Sequence, residues 1–96
     1  EMIIAGGFKI FPRNVEEAIY AHPDVKETAV IGVPDDTRGQ AVKAVVALNE
    51  GADLTQEALL NYLEPKLGKH EMPKYVSFMD ELPKTMIGKI SKKELS

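Results

Sequence analysis

The chain has 96 residues, 12 basic against 15 acidic, and a net charge of −3. That length supports one small domain with a modest core, and an apolar share of 44% argues against disorder. No cysteine is present, which excludes a disulfide framework, a thiolate zinc site and a cysteine nucleophile. His22 and His70 lie too far apart in sequence to form a metal motif. No apolar run approaches the ~20 residues that a membrane span needs. No basic flank precedes an apolar stretch at the start, so no signal peptide is read, and the pattern suits a cytoplasmic protein.

The ends read as cut. Glu1-Met2-Ile3-Ile4 enters an apolar run without an initiating methionine, and Ser91-Lys92-Lys93-Glu94-Leu95-Ser96 opens a helix that stops after little more than a turn. Residues 1–96 are therefore read as one domain excised from a longer chain.

In chain order, Met2 to Ile4 and Phe8 to Phe11 are short apolar strands around Gly6-Gly7, a pair that marks a tight turn or a close backbone approach. Pro12 suits a first helical turn, and Asn14 with Glu17 three residues on predicts a capping box. Val15, Ala18, Ile19 and His22 share one helical face, and His22-Pro23-Asp24 stops the helix. Thr28 to Val33 is almost wholly apolar and predicts a central strand covered on both faces. Pro34 to Gly39 reads as a loop, and Val42, Ala44, Val46 and Leu48 as a strand with one apolar face. Asn49-Glu50-Gly51 turns. Thr55 predicts an N-cap, with Leu54 and Leu59 as a hydrophobic staple, and Leu59, Leu63 and Leu67 form a buried stripe that Pro65 should end. Lys74 to Phe78 is a further strand, and Asp80 to Pro83 a turn. Strands and helices do not alternate strictly, so the fold class is α+β, a small mixed sheet packed with two or three helices.

Charge is unevenly placed. Residues 1–65 carry five basic and eleven acidic side chains, whereas 66–96 carry seven and four. A basic C-terminal third favours an anionic ligand. Nucleic acid is disfavoured by the acidic whole and by an aromatic share of only 6%.

The segment that carries chemistry is Pro83-Lys84-Thr85-Met86-Ile87-Gly88-Lys89-Ile90. It reads as a flexible, exposed loop presenting the Lys89 ammonium, with Gly88 bending the backbone and Ile87 and Ile90 as apolar anchors. Such a lysine suits oxygens that gain charge in a transition state. It is not a phosphate-binding P-loop, since the first glycine is missing and Ile90 follows the lysine. On composition alone, a surface turn with a solvated lysine competes with this reading.

Gly6-Gly7-Phe8-Lys9-Ile10-Phe11-Pro12, followed by Val15-Glu16, and Pro83-Lys84-Thr85-x-x-Gly88-Lys89-Ile90 together resemble two motifs of the adenylate-forming, AMP-binding superfamily. That superfamily holds acyl-CoA synthetases, nonribosomal adenylation domains and luciferases. His22-Pro23-Asp24-Val25, Val30 to Asp35 and Arg38-Gly39 also stand where it has them, so the resemblance covers nearly the whole chain. The chain is similar to the small C-terminal lid domain, most like that of a fatty-acid or long-chain acyl-CoA synthetase.

The resemblance implies an enzyme that activates a carboxylic acid with ATP and Mg2+, then passes the acyl group to coenzyme A, with the magnesium held outside this domain. Lys89 would be the catalytic lysine of adenylation, on a supporting loop of Pro83, Lys84, Thr85 and Gly88. Gly6, Gly7, Phe8 and Lys9 would line the pantetheine tunnel in a second pose, and Lys74, with Lys69, would meet coenzyme A phosphates. The partner would be a large N-terminal adenylate-binding domain of the same chain, and the isolated piece would be inactive. Relatives often carry lysine where Glu71 stands, and a leucine with one or two arginines where Ser91, Lys92 and Lys93 stand. Two other readings stay open: the lid of an aryl-acid or nonribosomal-peptide adenylation domain serving a carrier protein, and a non-catalytic α+β binding domain.

Overall fold

The computed structural model describes residues 2–95. Glu1 and Ser96, the outermost residues in the reading of cut ends, lie outside them. The order is β1 (Ile3–Ala5), β2 (Phe8–Ile10), α1 (Pro12–Tyr20), β3 (Val25–Asp35), β4 (Gly39–Leu48), α2 (Gln56–Leu63) and β5 (Tyr75–Met79), with short 3-10 turns at Lys69–Glu71 and Lys92–Leu95. This is the expected α+β class with a mixed five-stranded sheet: β5 runs parallel to β4, and every other pairing is antiparallel.

The central strand is β4, not the Thr28–Val33 segment. β4 pairs with β3 along its whole length, with β5 over Lys43–Ala47, and with β1 at Gly39. β3 lies at the sheet edge yet is buried on both faces, which explains its continuous apolar run. Its edge position also tolerates Pro34, which has no N–H to offer a ladder. The expected loop at Pro34 to Gly39 shrinks accordingly. β3 runs through Asp35, and a tight turn over residues 36–38 is braced by the Arg38 N–H donating to Asp35 Oδ2 at 2.9 Å.

On one face, Val30, Val42, Ala44 and Val46 pack with Val15 and Ile19 of α1 and Leu59 and Leu63 of α2. The opposite face is not polar, as a one-faced strand would require. Ala29, Val45 and Ala47 bury Leu82, with Ile90 and Leu95 against them, so the tail covers this side. The expected Thr55 cap is present, accepting the Ala58 N–H at 3.1 Å, and α2 ends at Leu63 before Pro65. The Asn14 cap is absent. α1 starts three residues earlier, with Pro12 at its first turn and Phe11 as N-cap without a side-chain hydrogen bond. Proline's fixed φ and missing N–H suit that place, so the first turn needs one partner fewer.

Candidate functional site

The Pro83–Ile90 segment is a hydrogen-bonded hairpin rather than a slack loop. Lys84 and Ile90 form an antiparallel bridge, and the Ser91 N–H donates to Pro83 O at 2.8 Å. The Thr85 N–H donates to Lys89 O at 2.6 Å, the Gly88 N–H to Thr85 O at 2.9 Å, and the Lys89 N–H to Thr85 Oγ1 at 3.2 Å. Gly88 takes φ +88°, the left-handed residue that closes a three-residue hairpin loop. Ile90 is half-buried in the tail-side cluster, but Ile87 is 79% exposed and Met86 fully so, so only Ile90 serves as an anchor. Lys89 is exposed, and among the described residues it makes no ion pair.

The hairpin base is tied to the sheet. Lys84 Nζ lies 2.6 Å from Glu27 Oε2, and Lys92 Nζ lies 2.7 Å from Glu16 Oε2. The Lys84 hydrogen bond holds the Glu27 carboxyl below the ordinary glutamate range, and Glu27 in turn raises Lys84. Glu27 is a residue that sequence reading missed. It sits 57 positions before Lys84, and the packing of the tail on this face of the sheet brings the two together.

The second group lies at the far end of the sheet. Gly6 and Gly7 take φ +58° and +85° in the β1–β2 turn, and the Gly6 N–H donates to Arg38 O at 2.9 Å. A Cβ at either glycine would meet nothing within 4 Å, so the space beside the turn is open to an incoming group. Phe8 is 55% exposed and stacks on His70, with ring centroids 4.6 Å apart. With Ala5, Gly6, Arg38 and Lys69 these two rings line a cavity of about 310 Å³. Arg38 and His70 escaped the sequence reading as site residues because turn packing, not spacing, places them there. Lys9 faces outward opposite Ile4 and makes no ion pair among the described residues. Lys74 differs: its Nζ lies 2.6 Å from Asp35 Oδ1, a hydrogen bond that raises the lysine and lowers the acid.

The two groups are therefore not one site. β1 meets β4 at Gly39, whereas Glu27, which holds the hairpin, pairs with Ala47. Eight residues of extended strand separate those points by roughly 26 Å at about 3.3 Å per residue.

Comparison with known proteins fixes the family: the fold is that of the C-terminal domain of AMP-binding enzymes. Residues 14–89 match the model of the AMP-binding enzyme C-terminal domain, and the chain belongs to that family. It is 46% identical over 95 residues to the long-chain-fatty-acid–CoA ligase of Bacillus subtilis, covering 99% of this chain and 17% of that protein. It is 44% identical over 95 residues to feruloyl-CoA synthase of Amycolatopsis sp, covering 99% and 19%. The solved structure of apo MatB from Rhodopseudomonas palustris superposes with a TM-score of 0.94 at 42% identity, over 98% of this chain and 19% of that one. The chain thus spans about a fifth of the length of the relatives it matches. No helix among the described residues is long and apolar enough to cross a membrane.

Proposed function

We propose that this chain is the mobile C-terminal domain of a longer ATP-dependent acid–CoA ligase, and that it serves the two half-reactions with its two ends. In the first, Lys89 reaches the substrate carboxylate and the α-phosphate of ATP. It holds both and offsets the charge that builds on the phosphorus oxygens. In the second, the Gly6–Lys9 turn lines the channel for the pantetheine thiol, with the open glycine face admitting the chain and Phe8 as an apolar wall. Lys69 and Arg38 stand beside it as phosphate partners, and Lys74 joins them if its ion pair with Asp35 opens.

The observation that carries this reading is Lys89, exposed and without an ion pair among the described residues, on a hairpin rooted in the sheet. The roughly 26 Å along β4 between Gly39, beside the glycine turn, and Ala47, beside the hairpin tether, supports two poses over one composite site. Magnesium enters with ATP and is assigned to the large N-terminal domain. A fatty acid is the proposed substrate, supported by the long-chain relative. The comparable likeness to a feruloyl-CoA synthase supports a reading in which the large domain selects the acid. Use of ATP and coenzyme A implies work in the cytoplasm, in fatty acid metabolism.

The test is Lys89→Ala in the full-length enzyme. Acyl-adenylate formation, followed by pyrophosphate release, should fall roughly 100-fold or more. Thioester formation from supplied acyl-adenylate should stay within two- to three-fold of the parent, and equal loss in both steps would refute the role.

A further inference from the structure

Two ion pairs bracket the Lys89 hairpin, one ending on β3 and the other on α1, which packs against β3. Upstream, Lys84 meets Glu27; downstream, Lys92 meets Glu16, whose Oε2 also accepts the Val30 N–H at 2.9 Å. Neither resembles an ordinary surface pair. Arg13 and Glu17 stand 3.7 Å apart with side chains 88% and 71% exposed, whereas Lys84 and Glu27 are 31% and 19% exposed. Glu27 does more than neutralise a lysine, because its Oε1 accepts the Leu82 N–H at 3.4 Å, at the point where the chain enters the hairpin.

The backbone of β3 is irregular at this residue. Strict alternation would put Val25 and Glu27 on the same face. Val25 packs in the helix-side cluster, yet Glu27 pairs with Ala47, which belongs to the tail-side cluster with Leu82. The ladder shifts register between Val25 and Glu27, a bulge that takes up one extra residue and turns the carboxylate over to the tail side. A bulge in a fully paired strand costs ladder hydrogen bonds, and its visible effect here is to aim Glu27 at the hairpin.

We propose that Glu27 is a positioning residue for Lys89: its carboxylate, turned by the β3 bulge onto the tail face, grips the hairpin base through Lys84 Nζ and the Leu82 N–H and so fixes where the ammonium is delivered. This rests on the adenylation role of Lys89. Beyond Lys84 the outgoing arm is held by Ile90 in the tail-side cluster and by Lys92 on Glu16, and the loop tip by internal hydrogen bonds, so tilt at the Lys84 side of the base is transmitted to Lys89. Misplacement of a reacting group by about 1 Å costs up to about 100-fold in rate, and loss of one of two tethers is expected to cost about ten-fold.

The test uses the full-length ligase with Glu27→Gln, Lys84→Met and the double variant, next to Lys89→Ala. Each of the first three should lower kcat for acyl-adenylate formation about ten-fold, with KM for ATP within two-fold and with thioester formation from supplied acyl-adenylate unchanged. The unchanged thioester rate doubles as the check on folding. The double variant should lose no more than either single one, since both remove the same tether. Additive losses, or equal losses in the two half-reactions, would overturn the positioning role. So would a Glu27→Gln enzyme at full adenylation rate when Lys89→Ala is inactive. Retained adenylation in Lys89→Ala would instead bring down the parent reading, and this one with it.

Discussion

Lys89 and Glu27 show what a single residue discloses by itself. The lysine stands in a motif whose glycine, threonine and proline neighbours all find a use in the hairpin, so the candidate was legible from the chain. Its brace was not, because Glu27 looks like any strand acid until the register and bulge are known. The brace also has a signature in pH. Lys84 first, then the Leu82 N–H, hold the Glu27 carboxyl below its unfolded value of 4.5 against the opposing effect of burial. A depressed acid stabilises the fold above its unfolded pKa, and that contribution disappears as pH falls through the lower folded value. Lys84 is raised above 10.5, so its share is present below that pH and lost as pH climbs through the higher folded value. Thermal melts of the chain and its Glu27→Gln variant should therefore differ across the neutral plateau, with the gap narrowing progressively as pH falls below 4.5. A gap that persists undiminished at pH 3 would mean that the carboxylate charge is not what stabilises.

At the scale of elements, sheet and helices were legible from alternation and i, i+4 spacing, and the misreadings share one cause. Propensity sees one strand at a time, whereas β3, β4 and the tail bury each other. β3 therefore reads as central although it is an edge, and the second face of β4 reads as free although Leu82 covers it. What keeps β3 from being a bare edge is α1. Tyr20 Oη accepts the Thr28 N–H at 3.2 Å, and Glu16 Oε2 accepts that of Val30, so side chains of α1 replace a missing neighbour strand. Capping the edge in this way gives Tyr20 a role its half-exposed ring does not advertise. Tyr20→Phe keeps the ring and leaves the Thr28 N–H without its acceptor, at a cost of roughly 1–2 kcal/mol. A lowered urea midpoint with unchanged slope, and faster amide exchange at Thr28 than at Ala29, are the expected results. An unchanged midpoint would show that water replaces the hydroxyl.

Over the whole molecule, the sheet behaves as a rigid beam with a different tool at each end. The glycine turn, Phe8 and His70 gather where β1 joins β4, and the Lys89 hairpin is fastened near the other end of the same strand. No linear spacing of motifs could have shown this separation, because β4 converts the eight residues from Gly39 to Ala47 into roughly 26 Å of distance. Sites so far apart, with no shared partners, act additively. If each end serves its own half-reaction, damage at one should leave the other step alone. Phe8→Ala removes the half-exposed ring that stacks on His70 and opens the 310 Å³ cavity, while leaving every buried core side chain in place. In the full-length ligase it should slow thioester formation about ten-fold, through a raised KM for coenzyme A, while acyl-adenylate formation stays within two-fold of the parent. Combined with Lys89→Ala, each step should show only its own loss, and the overall rate should follow the slower step. Pre-steady-state measurement of each step separates the cases. A Phe8→Ala enzyme impaired in adenylation would mean that both ends work in one pose, and the two-ended use of this domain would have to be abandoned.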